Sequence, residues 1–367
     1  MCFQHFRRLW DFHTAARGEI PLAASRFGAH SQTARSSRTE VRAHDRPPRA
    51  RLSAATQRRR SMATLGLLGL GRMGANMARR LRRAGVEVVA WNRNPAVATA
   101  LAEETGAVAA AEFADLVARL SPPRLVWLML PAGEPTQTCL DAIAPLLDVG
   151  DLVVDGANAH YRDAMRRADA LAARGVRFVD AGVSGGVWGL DNGYALMLGG
   201  EASAIEALRP VLEALAPAAD AGWLHCGPTG AGHFVKMIHN GIEYGMMQSL
   251  AEGFALLEAR TEFDLDLAAI AETWRHGSVV RSWLLDLMAT FLAADPATLD
   301  QVAPYVADSG EGRWTVIEGV EQGVPTPVIS LALAARFASR GGDDFANRLL
   351  ALMRRGFGGH ATRAAEE

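Results

Sequence analysis

Several features that mark specialised classes of protein are scarce in this 367-residue chain. Its three cysteines, Cys2, Cys139 and Cys226, are far apart and odd in number, so neither a disulfide framework nor a zinc site is indicated. No apolar run reaches the roughly 18 to 20 residues of a membrane helix. The net charge of -2, and the lack of a basic stripe outside the N-terminal tail, give no general reason to expect nucleic-acid binding. A chain of this length with 49% hydrophobic residues can form two globular domains.

Lysine is nearly absent, because Lys236 is the one lysine among 38 basic residues. Arginine stays protonated at any ordinary pH, whereas burial or a nearby cation can lower the pKa of a lysine amine until it takes and returns a proton. The single lysine therefore favours a catalytic base. The alternative is a residual surface lysine, and the neighbouring residues decide between the two.

The residues around Lys236 form a polar stripe on a predicted helix. Five polar residues occur at positions i, i+3, i+4, i+7 and i+8, namely Lys236, His239, Asn240, Glu243 and Tyr244. This spacing places side chains on one helix face, which is usually an apolar core face. The other faces of this segment are apolar. We therefore predict a core helix whose polar face borders a cavity, rather than a solvated outer face.

Residues 1–61 differ in composition from the rest of the chain, with thirteen arginines, four acidic residues and no sustained apolar period. This composition predicts a largely disordered extension. It fits an Arg-rich organelle transit peptide or a start of translation assigned too early, because Met62 stands just before a predicted strand. The second is favoured, since the whole chain is rich in arginine, and a cytoplasmic location is expected.

A glycine-rich turn follows the first predicted strand. Residues 65–68 predict a strand, residues 75–84 a helix and residues 86–91 a second strand, with Gly69, Gly71 and Gly74 in GxGxxG spacing between the first two. These glycines permit a tight turn, close approach of a pyrophosphate and close packing of helix on strand. The sequence predicts an α/β Rossmann domain, a doubly wound parallel sheet, at residues 62–229, followed by an all-α domain at residues 230–367.

The end of the second strand bears on the choice of nicotinamide cofactor. A site selective for NAD usually has Asp or Glu there, which accepts hydrogen bonds from the adenosine ribose. This chain has Asn92, Arg93 and Asn94 instead. Without the carboxylate a 2′-phosphate is not repelled, and Arg93 offers it a planar partner. NADP is favoured and NAD stays possible, the alternative being that Arg93 stacks on adenine without discriminating.

Further strands are predicted at residues 125–130, 152–155 and 178–181. In such sheets the ligand lies beyond the carboxyl ends of the strands, so the loops after the first two should border the nicotinamide. The turn at residues 182–186 follows the third strand. Its amides and hydroxyl can hold an anion such as a carboxylate, although it could equally be a structural turn.

From residue 65 to residue 360 the chain resembles 6-phosphogluconate dehydrogenase in its short form, which lacks the duplicated helical half. Four motifs occur in the family's order, at residues 69–74, 155–158, 183–186 and 232–244. The last is highly specific, because related β-hydroxyacid dehydrogenases share its lysine and asparagine but usually not the His, Glu and Tyr around them. The resemblance implies oxidative decarboxylation of 6-phosphogluconate to ribulose 5-phosphate and CO2, with NADP or NAD and no metal.

The resemblance also implies roles for single residues. Lys236 takes the proton of the C3 hydroxyl while hydride passes to the nicotinamide, and Glu243 protonates C1 after CO2 leaves, while His239 and Asn240 orient the substrate. The other expected substrate contacts are Asn158, Ser184, Gly185, Gly186, Tyr244, Arg336, Arg354 and His360, of which Tyr244, Arg336 and Arg354 correspond to residues that bind the phosphate. The expected cofactor contacts, which include the turn and loop residues described above, are Gly69, Gly71, Met73, Gly74, Asn92, Arg93, Leu130, Pro131 and Asn158.

An obligate homodimer or homotetramer is implied as well, in which a tail at residues 354–360 closes the neighbouring active site. One departure from the family concerns the phosphate of the substrate. Where many longer enzymes have lysine and threonine, this chain has Ser309 and Glu311. The change weakens phosphate recognition unless Glu311 points away or pairs with Arg313.

Two other functions stay open. A dehydrogenase of another β-hydroxy acid, such as 3-hydroxyisobutyrate, would not decarboxylate its substrate, and Ser309 and Glu311 are the best support for it. A non-catalytic protein that senses NADP(H) is the second alternative. The presence of Lys236, His239 and Glu243 argues against the sensor.

Overall fold

The structure is a computed structural model that describes residues 64–294, 299, 301–341 and 345–358, with the side chains of 345–349, 353 and 354 in the last segment. The predicted extension, residues 1–61, lies outside the described residues. None of the described helices is both long enough and apolar enough to span a bilayer.

Eight strands form one sheet in the order β3-β2-β1-β4-β5-β6-β7-β8. Their bounds are β1 Thr64–Leu68, β2 Glu87–Trp91, β3 Val108–Ala109, β4 Leu125–Leu128, β5 Leu152–Asp155, β6 Arg177–Ser184, β7 Ala195–Gly200 and β8 Trp223–Gly227. The helices among them are α1 Arg72–Arg83, α2 Pro95–Thr105, α3 Phe113–Ala118, α4 Glu134–Ile143, α5 Tyr161–Ala172, α6 Gly189–Asn192 and α7 Ala202–Leu215. The predicted doubly wound sheet is confirmed.

The last two strands differ from an all-parallel sheet. The pairing of β6 with β7 is antiparallel, whereas β7 and β8 run parallel to each other. Parallel neighbours need a long crossover, usually a helix, and α7 supplies one between β7 and β8. Between β6 and β7 the chain has only a single turn of 3-10 helix, Gly186–Trp188, and the four-residue α6. The chain therefore doubles back at this point.

Alternate residues of the central strands enter two apolar layers, one on each side of the sheet. Leu65 and Leu67 of β1 belong to one layer, while Leu68 belongs to the other. In β4, Trp127 faces the first layer and Leu128 the second, and all five side chains are fully buried. This burial on both faces is typical of a sheet covered by helices on both sides.

The rest of the described chain is helical, which confirms the predicted all-α region. Its helices are α8 Ala231–Glu258, α9 Leu267–Arg275, α10 Trp283–Leu292, α11 Glu311–Gln322, α12 Pro327–Ala338 and α13 Phe345–Gly358. Helix α8 carries the polar stripe and packs against β6 and β7 at its start and against α11 and α12 further on. It thereby joins the sheet to the helical region.

Candidate active site

The glycine-rich turn lies at the carboxyl end of β1, and each glycine is needed for a different reason. Gly69 has a φ of 96°, and a Cβ atom added there would lie 2.4 Å from the carbonyl oxygen of Met129. A Cβ atom at Gly74 would lie 2.0 Å from the carbonyl oxygen of Gly69, so α1 could not pack so closely on the strand. At Gly71 nothing lies within 4 Å of that position. This open space above the start of α1 suits the close approach of a pyrophosphate.

Asn92 and Arg93 lie beside this turn, at the end of β2. The backbone amide of Leu70 donates to Asn92 Oδ1 at 3.1 Å, and Asn92 Nδ2 donates to the carbonyl oxygen of Asn94 at 3.2 Å. Sequence reasoning missed this role of Asn92 in holding the turn. Arg93 is exposed, and no hydrogen bond or ion pair joins it to the part of the chain that the structure describes. Its guanidinium is therefore available to a ligand.

The other predicted cofactor contacts lie around the same edge of the sheet. Met73 is half-buried and packs against the apolar layer below the turn. The Leu130 side chain lies next to Gly69, since its Cδ2 would be 2.8 Å from a Cβ atom added there. Pro131 is exposed, and its carbonyl oxygen accepts a hydrogen bond from Thr136 Oγ1 at 2.8 Å.

A buried ion pair fixes the loops after β4 and β5. Arg167 of α5 donates through Nη1 to Asp155 Oδ2 at 2.8 Å, and both side chains are almost fully buried. Its Nη2 donates to the carbonyl oxygen of Gly133 at 3.0 Å, and its Nε to Gln137 Oε1 at 3.2 Å. Arg167 therefore holds both loops with a single guanidinium, a role that composition and periodicity did not indicate.

Asn158 links the loop after β5 to β6. Its Nδ2 donates to the carbonyl oxygen of Val183 at 3.0 Å, and its Oδ1 accepts from the Val183 amide at 2.8 Å. Asn158 also adopts a left-handed backbone conformation, with a φ of 51°. Asn158 ends the motif at residues 155–158 and is hydrogen-bonded to the motif at residues 183–186. It therefore positions the turn that begins at Ser184.

Alternate residues of β6 contact successive turns of α8. The carboxylate of Asp180 accepts from the amides of Gly230 at 2.6 Å and His233 at 2.8 Å, and so caps the start of the helix. Two residues on, a Cβ atom added at Gly182 would lie 2.4 Å from Cβ of Lys236. Strand β6 therefore sets the position of Lys236 along the sheet. Burial raises the pKa of Asp180, while His233 and the two amides oppose the rise.

Lys236 is almost fully buried, with 5% of its surface exposed. Its Nζ donates to Asn240 Oδ1 and lies 3.3 Å from His239 Nδ1. Burial lowers the pKa of Lys236 below its ordinary value, and the nearby carboxylates of Glu243 and Glu311 partly offset the effect. Burial thus shifts Lys236 toward the neutral amine, which is the form that accepts a proton.

The remaining residues of the polar stripe surround the lysine. His239 Nε2 lies 3.4 Å from Ser184 Oγ, and its Nδ1 lies 2.9 Å from Asn240 Oδ1. Glu243 is partly exposed, and its Oε2 lies 3.9 Å from His239 Nδ1. The structure therefore brings together the four predicted catalytic side chains and Ser184. Gly185 and Gly186, with φ values of 143° and 54°, form the turn directly after Ser184.

A second polar group lies near the far end of the stripe. Tyr244 is buried, its hydroxyl oxygen lies 3.3 Å from Ser309 Oγ, and the guanidinium carbon of Arg336 stacks 3.4 Å from the centre of its ring. Arg336 Nη1 donates to the carbonyl oxygen of Ala307 at 2.9 Å. The predicted phosphate contacts Tyr244 and Arg336 therefore touch each other.

Ser309 and Glu311 also meet in this group. Ser309 Oγ donates to Glu311 Oε2 at 2.5 Å. Arg313 does not neutralise that carboxylate, because it donates through Nη2 to Asp308 Oδ2 at 2.5 Å. Burial raises the pKa of Asp308, but the bonds from Arg313 and the Gly310 amide outweigh it and hold the pKa low. The sequence allowed two arrangements that would preserve phosphate binding, and the one in which Glu311 pairs with Arg313 is not formed.

The two tail residues are not part of this arrangement. Arg354 lies on α13, its side chain is exposed, and no hydrogen bond or ion pair joins it to residues that the structure describes. His360 lies outside the described residues. Within those residues, no group of three or more His, Cys, Asp and Glu side chains could hold a metal ion.

Two family models match adjoining parts of the chain. Residues 64–226 match the NAD binding domain of 6-phosphogluconate dehydrogenase, and residues 232–351 match the C-terminal domain of 6-phosphogluconate dehydrogenase. A protein of Haloferax volcanii named NAD(+)-dependent, decarboxylating 6-phosphogluconate dehydrogenase is 46% identical over 296 residues, which cover 81% of this chain and 97% of that protein.

Solved structures are similar over much of the chain. Plasmodium falciparum 6-phosphogluconate dehydrogenase, solved as the apo form, with NADP+ and with 6-phosphogluconate, gives a TM-score of 0.70 at 27% identity, covering 83% of this chain and 67% of that one. Mycobacterium tuberculosis 3-hydroxyisobutyrate dehydrogenase gives 0.61 at 27% identity, covering 76% and 94%. The similarity thus extends to an enzyme named for a different β-hydroxy acid.

Proposed function

We propose that this chain, which belongs to the 6-phosphogluconate dehydrogenase family, catalyses the oxidative decarboxylation of 6-phosphogluconate to ribulose 5-phosphate and CO2. One observation carries the proposal. The buried amine of Lys236 lies on the same helix face as Glu243 and beside His239, which contacts Ser184 at the carboxyl end of β6, and the open dinucleotide turn follows the carboxyl end of β1 at the same edge of the sheet. A base near the cofactor edge of the sheet and a separate acid are what the two halves of this reaction need.

The first half of the reaction is oxidation at C3. Neutral Lys236 takes the proton of the C3 hydroxyl, and Asn240, which accepts a hydrogen bond from the amine, keeps it directed into the site. The nicotinamide cofactor, when bound, accepts the hydride from C3. The turn residues and Arg93 would hold this cofactor, since Gly71 leaves room for the pyrophosphate and Arg93 has no competing described partner.

The second half is loss of CO2 from the 3-keto acid. The ketone at C3 takes up the electron pair of the broken C1–C2 bond, where C1 is the carboxyl carbon of the acid, and the protonated amine of Lys236 stabilises the enolate oxygen. Glu243 then donates a proton to the carbon that has lost CO2, which becomes C1 of the ketopentose. Its partial exposure allows the carboxylate to be protonated again from solvent.

A single assay tests the proposed function. The full chain is offered 6-phosphogluconate, gluconate or 3-hydroxyisobutyrate with NADP+ or NAD+, while reduced cofactor and released CO2 are both recorded. We expect CO2 and reduced cofactor in equal amounts from 6-phosphogluconate. Reduced cofactor without CO2 would support a plain β-hydroxyacid dehydrogenase, and cofactor binding without turnover of any acid would support a sensor.

The plain dehydrogenase is the second candidate, because Glu311 places a carboxylate next to Ser309, and the hydroxyl of Ser309 lies beside that of Tyr244. A carboxylate there opposes a phosphate but not an uncharged end of a substrate. Against this candidate, the polar face includes Glu243, and a dehydrogenation that stops at the ketone needs no second acid.

We propose NADP as the preferred cofactor because Arg93 is free and no carboxylate ends β2. Exchange of Arg93 for Asp should move the ratio of kcat/KM for NADP to that for NAD about 100-fold toward NAD, since a planar cation is replaced by a repelling anion. Steady-state kinetics with both cofactors measure the ratio. Arg174→Gln is the control, as it removes an exposed arginine that precedes β6 and lies outside the cofactor turn, and an unchanged ratio in Arg93→Asp would exclude Arg93 as the reader of the 2′-phosphate.

We also propose a homo-oligomer built through the outer face of α8. Val235, Ile242 and Met246 belong to the apolar faces of the predicted core helix, but they are 39%, 51% and 43% exposed, so the outer face of α8 is not buried within the described residues. Ile242 and Met246 border an apolar cavity of about 590 Å³, together with Phe254, Trp274 and Val280. A second copy of the chain would cover this face, and Arg354 and His360 would reach its active site, as the family resemblance implies.

Charged residues on this face should dissociate the oligomer. The double substitution Ile242→Asp and Met246→Asp should produce monomers at micromolar concentration, because two carboxylates would have to be buried unpaired. Light scattering coupled to size-exclusion chromatography measures the mass. Val149→Asp serves as the control, since Val149 is 83% exposed on the sheet domain and should leave the mass unchanged. A wild-type monomer would contradict the proposal.

A further inference from the structure

The polar group around Tyr244 contains three arginines, and a carboxylate already binds two of them. Arg313 and Arg340 both donate to the buried carboxylate of Asp308, at 2.5 Å and 3.5 Å. Arg336 stacks on Tyr244 and donates one N–H to a backbone carbonyl oxygen. Among the described residues of this group, Arg336 is therefore the arginine without a carboxylate partner.

Glu311 places an unneutralised carboxylate in the same group. It accepts from Ser309 Oγ, and no described cation forms an ion pair with it. The bond also engages the hydroxyl of Ser309, which would otherwise be free to donate to a ligand. Glu311 lies close enough to Lys236 to raise the pKa of its amine, and the hydroxyl of Ser309 lies beside that of Tyr244. The carboxylate therefore acts on the base electrostatically and is hydrogen-bonded to the serine at the Tyr244 end of the site.

The position of Glu311 is fixed by the packing of α11 on α8. Thr315 Oγ1 donates to the carbonyl oxygen of Met237 at 2.8 Å, one residue after Lys236, and also lies 2.9 Å from the Glu311 carbonyl oxygen. A Cβ atom at Gly241 would lie 2.6 Å from Thr315, so the two helices have no room to slide together. The backbone of Glu311 is thus held beside the site.

We propose that Glu311 is a specificity-determining residue that reduces the selectivity of this chain for phosphorylated over unphosphorylated sugar acids. The inference rests on the proposed function, because it assumes that Tyr244 and Arg336 face the phosphate end of the substrate. A phosphate monoester carries about 1.5 to 2 negative charges at neutral pH. Glu311 repels it and competes for Ser309, whereas gluconate has only an uncharged hydroxyl at that end.

The Glu311→Gln variant tests the proposal, since it removes the charge and keeps the size of the side chain. Calorimetry would give the dissociation constants of 6-phosphogluconate, gluconate and inorganic phosphate in the presence of NADPH, which cannot accept a hydride. We expect 6-phosphogluconate and phosphate to bind about three- to tenfold more tightly to the variant, with gluconate changed less than about twofold. Glu321→Gln is the matched control, because Glu321 lies on the same helix and pairs with Arg162.

The outcomes separate this inference from the proposed function. Equal changes for both acids, or no change for any ligand, would refute the role of Glu311. Wild-type protein that binds neither acid would refute the proposed function, and inorganic phosphate would then still test Glu311, since its affinity should rise in the variant. A similar gain in Glu321→Gln would show a general effect of net charge and would also overturn the inference.

Discussion

The Lys236→Arg variant should lose about 1,000-fold in kcat while its dissociation constants for NADP and substrate change less than about twofold, as expected for loss of a general base. Lys236 is 5% exposed, and burial lowers its pKa, which shifts the side chain toward the neutral amine that a general base requires. An arginine keeps a positive charge in the same place but does not give up its proton at ordinary pH. Steady-state kinetics give kcat, and titrations with NADP and with substrate give the two dissociation constants.

The pH profile distinguishes a lost base from a disturbed site. In the wild type, kcat/KM should rise with pH and level off above the pKa of Lys236, because the neutral amine is the active form. Glu243 and Glu311 raise this pKa, so the rise should move to lower pH in Glu311→Gln and disappear in Lys236→Arg. Near-normal turnover in Lys236→Arg would sink the assignment of Lys236 as the base.

The features that could be predicted from sequence are those carried by local patterns. The glycine spacing at residues 69–74 fixed the position of a turn between a strand and a helix, and the period of polar residues placed the catalytic stripe on one face of α8. The predicted strand at residues 152–155 has the observed bounds. In each case, the information lies in neighbouring residues, and the backbone geometry of one element is enough to interpret it.

The features that were missed depend on contacts between distant segments. Asp180 reads as one polar residue in a buried strand, and its function as a cap needs the start of α8, about fifty residues away. Arg167 reads as one arginine of many on a helix, yet it binds Asp155 at the end of β5 and the loop after β4. The reversal of β7 also depends on which strand it meets. The periodicity of residues along the sequence does not show which distant segments are in contact.

Gly182→Ala should have the second largest effect, because Gly182 is where β6 and α8 come closest at the catalytic lysine. A Cβ atom at Gly182 would lie 2.4 Å from Cβ of Lys236 and 2.9 Å from the carbonyl oxygen of Gly232. One of the two elements has to move. We expect a loss of about 1 to 3 kcal/mol in the free energy of unfolding, as for an overpacked core, and about 100-fold in kcat from displacement of the amine.

The control for Gly182→Ala has to destabilise the protein without moving Lys236. Gly150→Ala does so, because Gly150 has a φ of 91°, which costs an alanine about 1 to 2 kcal/mol, and it precedes β5 at the edge of the sheet opposite the site. Urea unfolding and kcat are measured for both variants. If the two lose stability equally and only Gly182→Ala loses turnover, strand β6 positions the base. Equal turnover would mean that α8 holds Lys236 in place without the strand.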